Sequence, residues 1–270
     1  MPTARRARDL LKTIDAALLF GAGLPLLAAI LAVAAAKGRF ARDRFPTGGA
    51  KAAAFGILFL VLVATILLPS TGGSASLDTS RLSFWGIFVV QGILASFLAC
   101  WWLLSGRPPL ADFLALRSPR PLAEAGAGIC LGLIGWVLTL AVGLVFGLLT
   151  LWLDLPRPTA VPPLVQWMAA LSPFRKLLIV LCAMTLEEFY FRAFLQRRFG
   201  PVPASILFLL AHGGYGQPFF FVGLIAITAV LAVAFQKTGS TWAPVFAHGT
   251  FDAVQLFIFL PLATRLLSGS

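Results

Sequence analysis

The stretch Phe84–Leu104, FWGIFVVQGILASFLACWWLL, carries no charged side chain from its first residue to its last. A helix needs about 20 apolar residues to cross the hydrocarbon core of a bilayer. Because no water is present there, the backbone polar groups must be satisfied within the segment, and an α-helix does this. The stretch therefore predicts a membrane-spanning helix and, with its neighbours, an all-α fold.

The composition of the whole chain is that of an integral membrane protein. Hydrophobic residues make up 59% of the 270 residues, charged residues only 11%, and the mean hydropathy is +0.93. A soluble domain carries about 25% charged residues. The composition excludes an ordinary soluble enzyme and a disordered chain. A secreted disulfide scaffold is excluded as well, because the three cysteines stand inside apolar runs without a pairing motif.

Apolar runs recur along the chain, separated by short breaks rich in proline, glycine and charge. One starts near Lys176, and another, Val202–His212, is short. We predict a polytopic all-α membrane protein of about eight transmembrane helices, with one integral membrane domain over residues 1–270. The other runs, besides Phe84–Leu104, are Ala16–Ala36, Ala52–Leu68, Ala125–Leu149, Phe219–Phe235 and Trp242–Leu260.

The formal net charge of +11 comes from basic residues that stand between the apolar runs, such as Arg39, Arg42 and Arg44. Lysine and arginine in such loops meet anionic lipid headgroups. The bilayer is therefore the expected partner of these charges, and no nucleic-acid partner is expected. The composition is rich in alanine, leucine and arginine, which is typical of GC-rich bacteria, so we expect a multi-pass protein of the bacterial inner membrane.

The fourth run contains two pairs of glycines four residues apart, Gly128 with Gly132 and Gly143 with Gly147. Small residues at this spacing let two helices approach closely in lipid. The pattern favours packing within the chain. The alternative is a homodimer through this glycine-rich span.

Ionisable residues within apolar runs are confined to the last third of the sequence. Such residues are costly in a bilayer, usually face an interior cavity and commonly serve function. The clustering therefore predicts a functional cavity in the C-terminal half. Its members are Glu187, Glu188, Arg192, His212, His248 and Asp252.

Helical spacing indicates which of these side chains share a face. Glu188 and Arg192 stand at i and i+4 and can pair, either as a structural ion pair or as part of the chemistry. His248 and Asp252 have the same spacing. Glu187 is rotated by about 100° from its neighbour on a helix, so it is expected to face the cavity as a general base. His212 precedes two glycines at an expected helix end.

Three segments in this region resemble the motifs of one membrane-protein family. Glu187-Glu188-Phe189-Tyr190-Phe191-Arg192 resembles an EExxxR motif, Phe208–His212 an FxxxH motif and His248–Asp252 an HxxxN or HxxxD motif. All three, in this order, are typical of the CPBP family of CAAX proteases and bacteriocin-processing proteins, also called Abi proteins. The resemblance gives a CPBP-like catalytic core at 166–260.

The resemblance implies an intramembrane glutamic endopeptidase without a cofactor, acting on a peptide or protein substrate at the membrane. In this family Glu187 and His212 would activate a water, and His248 with Asp252 would stabilise the oxyanion. Glu188 and Arg192 would support the site. An ionised aspartate at position 252 only accepts hydrogen bonds, so Asp252 could instead hold His248 in its protonated form.

Two other functions fit the same charged residues. Two histidines with carboxylates could bind zinc in an intramembrane metalloprotease, although no HExxH motif is present. A transporter or chaperone could use the buried charges as a proton relay without any hydrolysis.

Overall fold

The computed structural model of the chain describes residues 24–71, 83–154, 163–212 and 218–268. Every regular element within these ranges is helical, and no strand occurs among them. The predicted all-α class is confirmed. The division into one membrane domain with a core at 166–260 stays a prediction.

The helices follow the apolar runs closely, and most begin at a proline or just after a loop. Proline suits the first helical turn because its missing N–H has no partner there in any case. In chain order they are α1 Leu24–Ala36, α2 Gly48–Thr71, α3 Phe88–Leu104 after a 3₁₀ turn at Phe84–Ile87, α4 Leu110–Phe113, α5 Pro121–Trp152, α6 Pro163–Ala169, α7 Pro173–Glu188, α8 Arg197–Phe199, α9 Pro201–Ala211, α10 Pro218–Thr238, α11 Trp242–Val254 and α12 Leu260–Ser268.

The predicted count of about eight membrane spans is not confirmed. Four helical stretches of the described chain are long and apolar enough to cross a bilayer. A fifth is obtained if α6 and the continuous helix Pro173–Phe199 that follows it count as one bent span. A helix rises about 1.5 Å per residue, so α9 and the described part of the first run are shorter than the hydrocarbon core. Residues 16–23 of that first run lie outside the described ranges. The four stretches are Gly48–Thr65, Phe84–Leu104, Pro121–Trp152 and Trp242–Leu266.

The first motif lies on a continuous helical rod, Pro173–Phe199, whose middle is a π-helix. The π segment covers Phe189–Gln196 and joins α7 to α8. A second π segment, Gln255–Phe259, joins α11 to α12 just after the third motif. π-helical segments are rare in proteins, and those that do occur are often found at functional sites.

A buried ion pair ties the end of this rod to the first loop. Arg198 donates from Nε and Nη2 to the two carboxylate oxygens of Asp43, at 3.1 and 2.6 Å, and its guanidinium lies 3.9 Å from the ring centroid of Phe194. Trp101 donates its indole N–H to the same carboxylate at 3.0 Å. The position of Asp43 in a loop gave no indication of this burial, because a loop residue can be buried by a distant partner.

The glycine-rich helix α5 packs against α11 of the same chain. A Cβ added at Gly132 would lie 2.5 Å from the carbonyl oxygen of Ala247, and one at Gly128 would meet the carbonyl of Ala243. These two glycines thus serve the predicted packing within the chain, whereas a Cβ at Gly147 would meet nothing within 4 Å. A homodimer through this helix stays a prediction.

Candidate functional site

Four of the six predicted site residues line one cavity between the helices. Glu187, His212, His248 and Asp252 come from the first-motif rod, the end of α9 and α11, and they border a cavity of about 250 Å³. The other two predicted residues, Glu188 and Arg192, are fully buried behind this wall. The fold therefore brings three motifs that are distant in sequence to a single place.

His212 is oriented by the end of its own helix. It follows the last residue of α9, and its Nδ1 donates to the carbonyl of Phe208, at 2.8 Å, one of the carbonyls that a helix end leaves without a backbone partner. Its Nε2 then points to Glu187, 3.5 Å from Oε2. In the neutral ring this nitrogen is an acceptor. The two glycines after His212 lie outside the described residues.

Glu187 is buried and has a partner that the sequence reasoning missed. Its Oε1 accepts a hydrogen bond of 3.3 Å from Nε2 of Gln91 on α3, and Gln91 lines the same cavity. A lone amide in an otherwise apolar span is a signal of a polar partner, but it does not identify that partner. The carboxylate is thus held on one oxygen by an amide and approached on the other by an imidazole.

The remaining four residues form one hydrogen-bonded chain across two helices. Arg192 donates from Nε to Oε2 of Glu188 at 3.0 Å, which is the predicted i, i+4 pair. The second oxygen of Glu188 accepts from Nδ1 of His248 at 2.9 Å. Nε2 of the same ring lies 3.3 Å from Oδ2 of Asp252, the second predicted pair. The contact between Glu188 and His248 was not predicted.

A close approach of α11 to α7 brings His248 to Glu188. A Cβ at Gly249 would collide with the sulfur of Met184, so a side chain at position 249 would force the flexible Met184 side chain to move. The glycine in the third motif therefore has a packing function next to the histidine that it follows.

Arg192 has no exposure to solvent, and its guanidinium lies beside an aromatic ring. Its guanidinium carbon lies 5.2 Å from the ring centroid of Phe208, within cation–π range. Its two terminal nitrogens make no hydrogen bond to the described residues. The ion pair with Glu188 is consequently its main polar contact.

The cavity wall is mostly apolar apart from the residues above. Helices α3, α5, α6, α7, α10 and the α11–α12 rod each contribute to it. Such a wall suits an apolar ligand held by a few directed polar groups. Its apolar members include Ile87, Trp136, Leu164, Met168, Ile179, Leu224, Phe251 and Phe259.

The described residues contain no group of three His, Cys, Asp or Glu side chains arranged to hold a metal ion. Both ring nitrogens of His248 face carboxylates, and Nδ1 of His212 faces a carbonyl. A zinc site of the usual kind needs at least three protein ligands around one centre.

A match to a known protein family lies over the three motifs. Residues 169–254 match the family model described as Rce1-like, type II CAAX prenyl endopeptidase Rce1-like. No curated protein and no solved structure matches the chain. The family supports an intramembrane protease activity, and the apolar helices support an integral membrane protein. Residues 169–254, which contain all three motifs, are thus similar to the Rce1-like type II CAAX prenyl endopeptidases.

Proposed function

We propose that the chain is a glutamic intramembrane endopeptidase that hydrolyses a peptide bond of an apolar, membrane-associated substrate. The observation that carries the proposal is the convergence of Glu187, His212, His248 and Asp252 on one largely apolar cavity. The family match over residues 169–254 supports hydrolysis rather than transport.

In the proposed first step, a water attacks the peptide carbonyl carbon. Its proton passes to Oε2 of Glu187, and Nε2 of His212, 3.5 Å from that oxygen, accepts the water's other hydrogen as a hydrogen bond. A base within reach of one water is the usual geometry for general-base catalysis. Because Nδ1 of His212 is engaged by a carbonyl, Nε2 is the nitrogen that remains for this task.

The negative charge that develops on the carbonyl oxygen is assigned to His248. Nδ1 donates to Glu188, and the proton on Nε2, which faces Oδ2 of Asp252 at 3.3 Å, is the one that His248 would donate to the oxyanion when substrate is bound, with Asp252 supporting the charged ring. Donors fixed before the reaction stabilise such a charge strongly in a site from which water is excluded. Collapse of the tetrahedral intermediate breaks the C–N bond, and Glu187 returns its proton to the leaving nitrogen.

Glu188 and Arg192 are assigned a positioning role. They do not line the cavity, and they reach the reacting atoms only through His248. Arg192 holds the carboxylate of Glu188, and Glu188 in turn orients His248. This is the common arrangement in which a third group orients a catalytic residue.

The experiment is proteolysis by the purified protein in liposomes. A library of apolar peptides, half of them carrying a prenylated C-terminal CAAX sequence, is incubated with the protein, and new termini are identified by mass spectrometry. The peptide cleaved fastest then serves as the probe peptide. The comparison of prenylated and unprenylated peptides decides the substrate class.

We expect Glu187→Gln to lower kcat by about 100- to 10,000-fold, because the amide cannot accept the water's proton. His212→Ala and His248→Ala should be similarly impaired while still inserting and purifying. The matched control is Asp154→Asn, which removes an exposed carboxylate outside the cavity. A Glu187→Gln protein that cleaves the probe peptide at the wild-type rate would end the glutamic mechanism.

A further inference from the structure

Gln91 is a polar side chain in the cavity wall that none of the three motifs contains. It lies on α3, almost 100 residues before the first motif, and donates from Nε2 to Oε1 of Glu187 at 3.3 Å. The opposite orientation of its amide would place two acceptor oxygens together, so the carboxylate fixes which end of the amide faces it. The contact is therefore a directed hydrogen bond to the charged group.

The position of this amide is not explained by helix packing. Its oxygen Oε1 is buried and makes no hydrogen bond to the described residues. A polar group with an unsatisfied buried atom costs stability relative to an apolar side chain of the same shape. A methionine or leucine at position 91 would thus suit the span better if packing alone mattered.

The hydrogen bond also distinguishes the two oxygens of Glu187. Oε1 is engaged by Gln91, whereas Oε2 lies towards Nε2 of His212. A free carboxylate rotates about its last bond, since that torsion is broad. An amide attached to one oxygen restricts this rotation and leaves the other oxygen directed at the water-activating position.

We propose that Gln91 is a positioning residue, which holds Glu187 in the orientation from which Oε2 takes the proton of the attacking water. This inference rests on the proposed function, in which Glu187 is the general base. It adds helix α3, which lies outside the family match, to the active site.

The kinetic test compares Gln91→Met with Ser96→Ala. Methionine keeps the length and apolar stem of glutamine and removes the amide, and Ser96 is an exposed polar residue on the same helix. With the probe peptide, we expect Gln91→Met to lower kcat about 10- to 100-fold, the size of a lost hydrogen bond to a charged group, with KM little changed. Ser96→Ala should match the wild type. An unchanged kcat in Gln91→Met overturns the proposal.

A double variant tests whether the effect passes through Glu187. In the Glu187→Gln background, Gln91→Met should cause no further loss of the residual rate, because the group that it positions is already gone. Losses that multiply in the double variant would show that Gln91 acts independently of Glu187, and the proposal would fall.

A spectroscopic readout separates this inference from the proposed function. The chain contains three glutamates, Glu124, Glu187 and Glu188, so protein labelled with ¹³C at the glutamate carboxyl gives three signals. The signal that is missing in Glu187→Gln identifies Glu187. It should move in Gln91→Met and stay in Ser96→Ala, and a signal that does not move overturns the positioning role. Full activity of Glu187→Gln would instead refute the mechanism, whatever this signal does.

Discussion

Replacing Arg192 by methionine removes one partner of a fully buried ion pair. Neither side chain of the pair has any exposure, and Nε of Arg192 lies 3.0 Å from Oε2 of Glu188. Leaving one charge of such a pair without its partner costs about 3–5 kcal/mol. Because Glu188 keeps its bond to His248 at 2.9 Å, we expect a value near the lower end, about 3 kcal/mol.

That free energy corresponds to a measurable change in thermal unfolding. At about 2–4 °C per kcal/mol for a chain of this size, the unfolding temperature in detergent should fall by about 6–12 °C. Tryptophan fluorescence is the suitable probe, because the chain has seven tryptophans. A thiol-reactive dye is unsuitable, since Cys100 and Cys130 are exposed in the folded protein.

Two further variants make the prediction specific to the pair. Arg175→Ala removes an exposed arginine from the same rod and should change the free energy of unfolding by no more than about 0.5 kcal/mol. Combining Glu188→Gln with Arg192→Met should destabilise the protein less than the sum of the single changes, by at least about 1 kcal/mol. If Arg192→Met unfolds at the same temperature as Arg175→Ala, the ion pair does not stabilise the fold and the reasoning is wrong.

Two other predictions concern the metal and the first loop. Extensive treatment with chelators should leave cleavage of the probe peptide intact, because water activation is assigned to a carboxylate and an imidazole. If chelation abolished cleavage and added zinc restored it, the metalloprotease would be favoured instead. Asp43→Ala should lower the free energy of unfolding by about 3 kcal/mol, since it leaves Arg198 buried without its carboxylate. Asp112→Ala breaks the exposed pair with Arg117 and should lower the free energy of unfolding by less than about 1 kcal/mol. Equal losses in the two variants would contradict the claim that burial makes the Asp43–Arg198 pair the more stabilising one.

Local features of the fold and site could be predicted from the sequence. Apolar runs predict helices in a bilayer because the backbone must be satisfied within each segment. The pairs Glu188–Arg192 and His248–Asp252 follow from helical spacing alone. That the ionisable groups of the apolar runs would line a cavity followed from their cost in lipid, whereas the contribution of Ile87 and Gln91 from the N-terminal half to its wall did not.

Contacts between distant segments could not be predicted in this way. Gln91 and Glu187 are 96 residues apart, and Glu188 and His248 are 60 apart. No periodicity relates such residues, because their proximity depends on which helices pack together. The burial of Asp43 has the same origin, since its partner Arg198 is 155 residues away.

The number of membrane spans was harder to predict than the helices themselves. Hydropathy identifies where a helix forms but not whether it crosses the whole core. The elbow of 112° between α6 and the rod that follows is not visible in the composition, nor are the two π segments.

The π segment at Phe189–Gln196 means that the first motif cannot be moved to a regular α-helix without changing the orientation of the residues on either side of it. An extra residue in a helical turn rotates everything after it by about 100° relative to everything before it. Here the segment separates Glu187, which must face the cavity, from Arg198, which must reach Asp43. If the six motif residues lay on a regular α-helix, or if one residue such as Ala193 were deleted, the two ends of the rod would be rotated relative to each other. Either Glu187 would then face the cavity or Arg198 would reach Asp43, but not both. When related sequences are aligned, a one-residue gap between the motif and the end of this rod therefore indicates a different relative rotation of the two ends of the helix. It does not indicate a change of loop length.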